Sequence, residues 1–310
     1  MKYKDKDLDK IEAVRKVQIF IESHLNDRIT LMDLSRVSGY SQWHIERLFK
    51  ELTGKTPFEY IRAMRLTKAA FALRDDPSSR KILDVALDYV FDSHEGFTRA
   101  FSRQFGIPPK AYQRNPEPIP LFLPYPVISQ HLDSKKRRAI NMSEEKKVRT
   151  VFVQVIERPE RKAIIKRGTK ATHYFEYCEE VGCDVWGMLV SVKEALFEPA
   201  GFWLPDSWIK PGTSKYVQGV EVPMDYDGII PEDFELITMP PSKMMIFQGE
   251  PYDDENFEEA IGEIWEIIKN YNPRLYGFEW AEDENPRFQL EPQGYRGYIE
   301  GRPVKEIITT

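Results

Sequence analysis

The chain has 310 residues, 41% of them hydrophobic, with 44 Lys+Arg against 50 Asp+Glu and a formal net charge of −6. That length allows two domains with separate cores, and no apolar run of about 18 residues is present to cross a membrane as a helix. The alternating charges from Lys2 to Lys10 set the expectation of a cytoplasmic protein. The only two cysteines, Cys178 and Cys183, fit neither a zinc site nor a disulfide framework.

The net charge hides a division. Residues 1–115 hold 21 Lys+Arg and 16 Asp+Glu, a balance of +5, whereas residues 116–310 hold 23 and 34, a balance of −11. The first part can be steered to a polyanion; the second should repel one and favour a cationic ligand.

Helical signals come first. Thr30 is an N-cap with Asp33 in the acidic place of a capping box, and Leu31, Leu34 and Val37 follow at helical spacing. Gly39 tolerates positive φ, and Tyr40-Ser41 opens a second helix with Ile45, Leu48, Phe49 and Leu52 on one apolar stripe. Its other face presents Gln42, Trp43, Glu46, Arg47 and Lys50, residue types suited to base edges, thymine methyls and phosphates. Thr56, Pro57 and Glu59 then start a long helix that keeps Leu66, Ala69, Ala70 and Leu73 on one side up to Asp75. In a second pair, Ile82, Val85, Ala86 and Tyr89 form the supporting stripe. Phe97, Phe101 and Phe105 bury the following helix, which leaves His94, Glu95, Thr98, Arg99 and Arg103 outside.

These two stretches are one unit used twice. Ser41, Arg47, Phe49, Gly54, Pro57 and Tyr60 recur at a single offset as Ser93, Arg99, Phe101, Gly106, Pro109 and Tyr112. Each copy reads as a helix-turn-helix, and a rigid spacer suits recognition helices that enter successive major grooves about 34 Å apart. His44 and His94 have no second ligand at metal-site spacing, so neither a metal nor any other cofactor is expected.

Ser41-Gln42-Trp43-His44, Phe49 to Tyr60 and Phe101 to Tyr112 resemble the DNA-binding domain of AraC/XylS-family transcription regulators, over roughly residues 8–115. The resemblance implies seven helices, two of them recognition helices. It places base contacts on Trp43, Glu46 and Arg47 in the first copy and on His94, Glu95, Thr98 and Arg99 in the second. One departure is Val90, which stands before Phe91 where the family usually has Gly in the second turn; a β-branched residue is costly at positive φ.

Asn115 to Pro126 is too proline-rich for a helix or a central strand, and the charged run through Lys135-Lys136-Arg137-Arg138 to Lys147 continues it. The expected organisation is a DNA-binding domain at 1–115, a linker at 116–147 and a second domain at 148–310. Strands are predicted at 151–156, 162–166, 215–222, 234–239, 244–249 and 297–303, and helices at 185–196 and 257–268. The fold class is therefore an all-α tandem helix-turn-helix domain followed by an α+β domain of two βαββ-like halves.

Tyr216 to Pro223, Ile264-Trp265, Tyr276 to Glu279 and Arg296 to Glu300 resemble the GyrI-like (SbmC-like) small-molecule-binding domain found after a tandem helix-turn-helix in Rob-like regulators. The resemblance implies two SHS2-type halves with a ligand groove between them, lined by aromatics and a carboxylate that receives a cationic or amphipathic molecule. Trp186, Trp203, Tyr216, Trp265, Tyr276 and Tyr298 are the aromatic candidates for that groove, and Glu221, Glu279 and Glu300 the carboxylates. Phe288-Gln289 stands where an acidic residue often follows an aromatic, which opens the way to a neutral aromatic ligand.

The leading expectation is a regulator that binds double-stranded promoter DNA, responds to a small-molecule effector and contacts RNA polymerase, without membrane association. The alternatives are a second domain that binds a protein partner such as polymerase or gyrase, or one that hydrolyses a small molecule. No Ser-His-Asp set, phosphate loop or metal cluster supports an enzyme. A filled groove would favour the protein partner and an open aromatic cavity the sensor.

Overall fold

A computed structural model describes residues 2–76, 80–124, 150–182, 184–253 and 256–307. The chain divides into two compact units, Met1–Ser143 and Glu144–Thr310.

The first unit is helical: α1 (Lys2–Ser23), α2 (Leu31–Ser38), α3 (Gln42–Thr53), α4 (Pro57–Asp75), α5 (Ile82–Asp88), α6 (His94–Phe105) and α7 (Pro109–Arg114). Ile11, Val14, Val17 and Ile21 recur at three- and four-residue spacing along α1 and are buried against Leu34 of α2 and Ile45, Leu48 and Phe49 of α3. The sequence signals act as read. Thr30 and Asp33 form a capping box on α2, as Thr56 and Glu59 do on α4. Ser41 and Ser93 cap α3 and α6, and both helices end on a left-handed glycine, Gly54 and Gly106. The repeat extends to packing: Phe49 meets Tyr60 at 5.2 Å between ring centroids, and Phe101 meets Tyr112 at 5.7 Å. Helix α4, roughly 28 Å long at 1.5 Å per residue, spaces the two copies.

Packing in this unit continues past Asn115. Ile119 and Leu121 are buried, the Phe122 amide donates to Thr67 Oγ1 at 2.9 Å, and the Phe122 ring lies edge-on to Tyr60. Residues 116–124, expected as linker, instead belong to the first unit, because their apolar side chains find a face of α4 to cover. The remainder of the expected linker, with its basic run, lies outside the described residues.

The second unit is an antiparallel sheet with helices: β1 (Phe152–Arg158), β2 (Arg161–Arg167), α8 (Tyr174–Val181), α9 (Val185–Val190), β3 (Ala200–Trp203), β4 (Tyr216–Val222), β5 (Glu235–Met239), β6 (Ser242–Gln248), α10 (Phe257–Asn270), β7 (Phe278–Trp280), β8 (Arg287–Leu290) and β9 (Ile299–Glu306). The strand order is β1-β6-β9-β8-β3-β4-β2-β5, with β7 also pairing with β9. The order is symmetric about the β3–β8 contact: β3-β4-β2-β5 on one side matches β8-β9-β6-β1 on the other. Register matches too, since Lys162 faces Val222 in one half as Lys243 faces Val304 in the other. The strand preceding each half is exchanged: β1 joins β6, and β5 joins β2.

One prediction for this unit needs correction, and four elements were not anticipated. The helix expected to reach Leu196 stops at Val190: Ser191 Oγ bonds back to Met188 O, and Leu196 N donates to Glu221 O, which ties the segment to β4. Helix α8 was not anticipated, although Gly182 ends it and Glu176 holds Thr172 ahead of it. Strands β3, β7 and β8 have only three or four residues each, too few to show the alternation that marks a strand.

Candidate functional site

Two surfaces stand out, one in each unit. On α3 the buried stripe of Ile45, Leu48 and Phe49 turns the opposite face outward. Gln42, Arg47 and Lys50 are exposed and Glu46 is half-buried. Trp43 is 68% exposed, with the Arg47 guanidinium carbon 5.1 Å from its ring centroid. A tryptophan left so far in water is unusual, and the arginine over its ring supplies a cation–π partner. On α6, His94, Glu95, Arg99 and Arg103 are exposed, and the half-buried Thr98 has a hydroxyl without a hydrogen-bond partner. Of the six repeated pairs, five cap, turn or pack the helices. Only Arg47 and Arg99 point outward from the body in both copies. His44 stacks on Tyr40 at 4.8 Å, and no His/Cys/Asp/Glu group among the described residues could hold a metal.

The second surface lies on the helix side of the sheet, where its two halves meet. Register sets Gln218, Gly201, Gln289 and Glu300 side by side across β4, β3, β8 and β9. Tyr216, Trp203 and Arg287 form the neighbouring row. A methyl group at Gly201 would collide with the Tyr216 hydroxyl, so the glycine makes room for that ring. Gln289 joins the two tyrosines: its Nε2 lies 3.4 Å from Tyr216 Oη and its Oε1 3.2 Å from Tyr298 Oη. Tyr298 donates to Glu300 Oε2 at 2.9 Å, Trp265 Nε1 donates to the same oxygen at 2.8 Å, and Arg302 Nε donates to Oε1 at 2.9 Å. Full burial beside this carboxylate pushes the Tyr298 phenol well above its ordinary value. Trp203, Tyr216, Tyr298 and Glu300 are buried, while Trp265, on α10, is 40% exposed and covers Glu300.

Residues 34–115 match the family described as a helix-turn-helix domain. The Right origin-binding protein of Escherichia coli K12 is 46% identical over 110 residues, which cover 36% of this chain and 37% of that protein. The chain thus aligns with little more than a third of that relative's length. The Tn10 TetD protein of Escherichia coli is 44% identical over 103 residues, covering 33% of this chain and 73% of the relative. The chain belongs to the AraC family of regulators. A structure of SAV2435 bound to tetraphenylphosphonium covers 50% of this chain and 94% of its own at 16% identity and a TM-score of 0.35, too low a score to transfer anything to the second unit.

In this AraC-family chain the ten expected DNA-contact residues lie on α3 and α6, five on each helix. The groove residues are less uniform. Trp203, Tyr216, Trp265, Tyr298 and Glu300 come together, whereas Glu221 and Glu279 do not join them. Side chains alternate along a strand, so Glu221 lies on the opposite face of the sheet from Glu300, ion-paired to Arg158 at 2.8 Å and Arg161 at 2.9 Å. Burial lowers the Arg158 pKa, and its guanidinium stacks over Phe197 and Phe288. Glu279 pairs with Arg274 at 3.1 Å and Lys305 at 3.8 Å on the β7 margin, and Tyr276 stacks on Tyr271 nearby. Trp186 is half-buried on α9.

Each of the three carboxylates expected to receive a cation therefore already has two cationic neighbours, since Arg287 also lies 3.8 Å from Glu300. Gln218 and Arg287 were missed. A signal for Gln218 was available, because Tyr216-Val217-Gln218-Gly219 and Tyr298-Ile299-Glu300-Gly301 share one pattern.

Proposed function

We propose that the chain is a sequence-specific, DNA-binding transcription regulator whose second unit senses a small amphipathic aromatic molecule in the groove between two SHS2-type halves of a GyrI-like domain. The observation that carries the DNA reading is the pair Arg47 and Arg99, equivalent outward residues on two capped helices inside the family match. Arginine reads guanine edges or phosphates through its planar fork. For the sensor, the support is a polar and aromatic centre where the halves meet, covered by one half-exposed tryptophan on a separate helix. A ligand that displaced Trp265 and bound one state better would change DNA affinity by about 5- to 150-fold for a coupling of 1–3 kcal/mol.

The filled centre favours a second reading, in which the acidic second unit docks a protein and takes no small molecule. Binding of the full chain to its own upstream DNA, measured by fluorescence anisotropy at two salt concentrations with and without aromatic amphiphiles, separates the two. The expected result is salt-sensitive, selective binding that one compound alters. Arg47→Ala should lose about 1–3 kcal/mol of specific affinity, roughly 5- to 150-fold. Full operator affinity in that variant would remove α3 as a recognition helix, and selective binding unaffected by every compound would leave the protein-partner reading.

A further inference from the structure

The groove's polar groups are unevenly satisfied. Glu300 takes donors from Trp265, Tyr298 and Arg302, and Arg302 is also held by Glu282 at 2.7 Å. A ligand cation seeking this carboxylate would have to displace neutral donors and sit beside arginine. Arg287, one strand away, is in the opposite condition. Its guanidinium carbon stacks 4.0 Å from the centre of the Trp203 ring, its side chain is only 23% exposed, and burial depresses its pKa. Among the described residues no acceptor lies within hydrogen-bonding distance of it, the nearest carboxylate oxygen being Glu300 Oε1 at 3.8 Å. No Arg287 nitrogen is sealed from solvent, so its fork of donors is open to an incoming group, and that fork matches a carboxylate in two-point fashion. In the adjoining row, Gln218 is 1% exposed and its Oε1 has no partner.

From these groups, and resting on the sensor reading above, we infer that the effector is an aromatic carboxylate, bound with its acid group on Arg287 and its ring against Trp203 and Trp265, with Gln218 free to accept a hydrogen bond from a polar substituent. The net negative charge of the second part of the chain does not oppose this. Exposed charges more than about 10 Å away are screened by salt, whereas Arg287 and Arg302 act at contact distance behind the sheet's own low-dielectric wall.

Three probes on one skeleton test the inference by calorimetry on the full chain: 2-naphthoate, its neutral amide 2-naphthamide, and the cation 2-naphthyltrimethylammonium. Naphthoate should bind about tenfold or more tightly than the amide, as a charge-assisted fork outweighs a neutral contact, and the ammonium probe should give no saturable heat. In Arg287→Gln the acid should fall to the amide's affinity while the amide is unchanged. Arg287→Lys should keep part of the preference, which shows that the loss in Arg287→Gln is not a failure to fold. Tighter binding of the amide or the ammonium, or an acid preference that survives Arg287→Gln, overturns the inference and leaves the sensor reading standing. Absence of binding by all three overturns both.

Discussion

The two helix-turn-helix copies both turn through a left-handed residue and differ in how each pays for it; the second turn is one residue longer. In the first turn the left-handed position is Gly39 at φ 73°; in the second it is Val90 at φ 61°. Valine costs about 1–2 kcal/mol there, so its own preference does not set the geometry. The surroundings do. Phe91 N bonds Ala86 O at 2.9 Å, Phe91 packs edge-on against the buried Phe97, and Asn26, from the segment between α1 and α2, donates to Asp88 O at 2.9 Å. The first turn is made by its local sequence, and the second is held by tertiary contacts, one of them supplied by the segment leading into the first copy. The difference teaches that the fold requires the left-handed residue in both copies, whatever side chain occupies it.

Substitutions at these two left-handed positions should have opposite signs. Gly39→Val has the larger effect. Nothing lies within 4 Å of a Cβ at Gly39, so the cost is backbone strain alone, about 2 kcal/mol. Trp43 is the one tryptophan among residues 1–115, and a fluorine-labelled indole there reports unfolding of this unit within the full chain. An unchanged midpoint would mean that the first turn can adopt another conformation. Val90→Gly should stabilise the same transition by about 1 kcal/mol, the relieved strain less the added freedom of the unfolded glycine. A loss instead would show that the half-buried Val90 side chain contributes more by packing than its backbone costs.

Most of the first unit was legible because its signals are local. Caps, left-handed glycines and the Phe–Tyr pairs occupy the repeated positions; the caps and glycines act within a few residues of where they are read, and the Phe–Tyr pairs join consecutive helices. The second unit conceals its symmetry. Strand exchange depends on pairings between distant segments, such as Val155 with Met245, and no local pattern states which strand a segment joins. The carboxylates show the same limit. Glu221 is neutralised by Arg158, 63 residues away, which spacing cannot reveal. Arg302 is two residues from Glu300 on the same strand face, so that pairing was readable from strand alternation.

The smallest expected effect tests whether local capping also separates the two copies. Helix α2 has its capping box, whereas α5 starts from Lys81 with no side-chain cap. Asp33 accepts from Thr30 Oγ1 at 2.6 Å and from Thr30 N at 3.0 Å, and these bonds hold its carboxyl below the ordinary range. A depressed folded pKa means that the unfolded chain takes up the proton first as pH falls. The contribution of Asp33 is therefore complete above about pH 4 and disappears as pH drops through the folded value. Unfolding of the full chain, followed at Trp43 between pH 5 and pH 2, should show Asp33→Asn less stable than the parent at the upper end and converging with it at the lower. A constant gap would assign the effect of Asp33 to packing or to bonds that do not depend on its charge, and the contrast between the two copies would then rest on their turns alone.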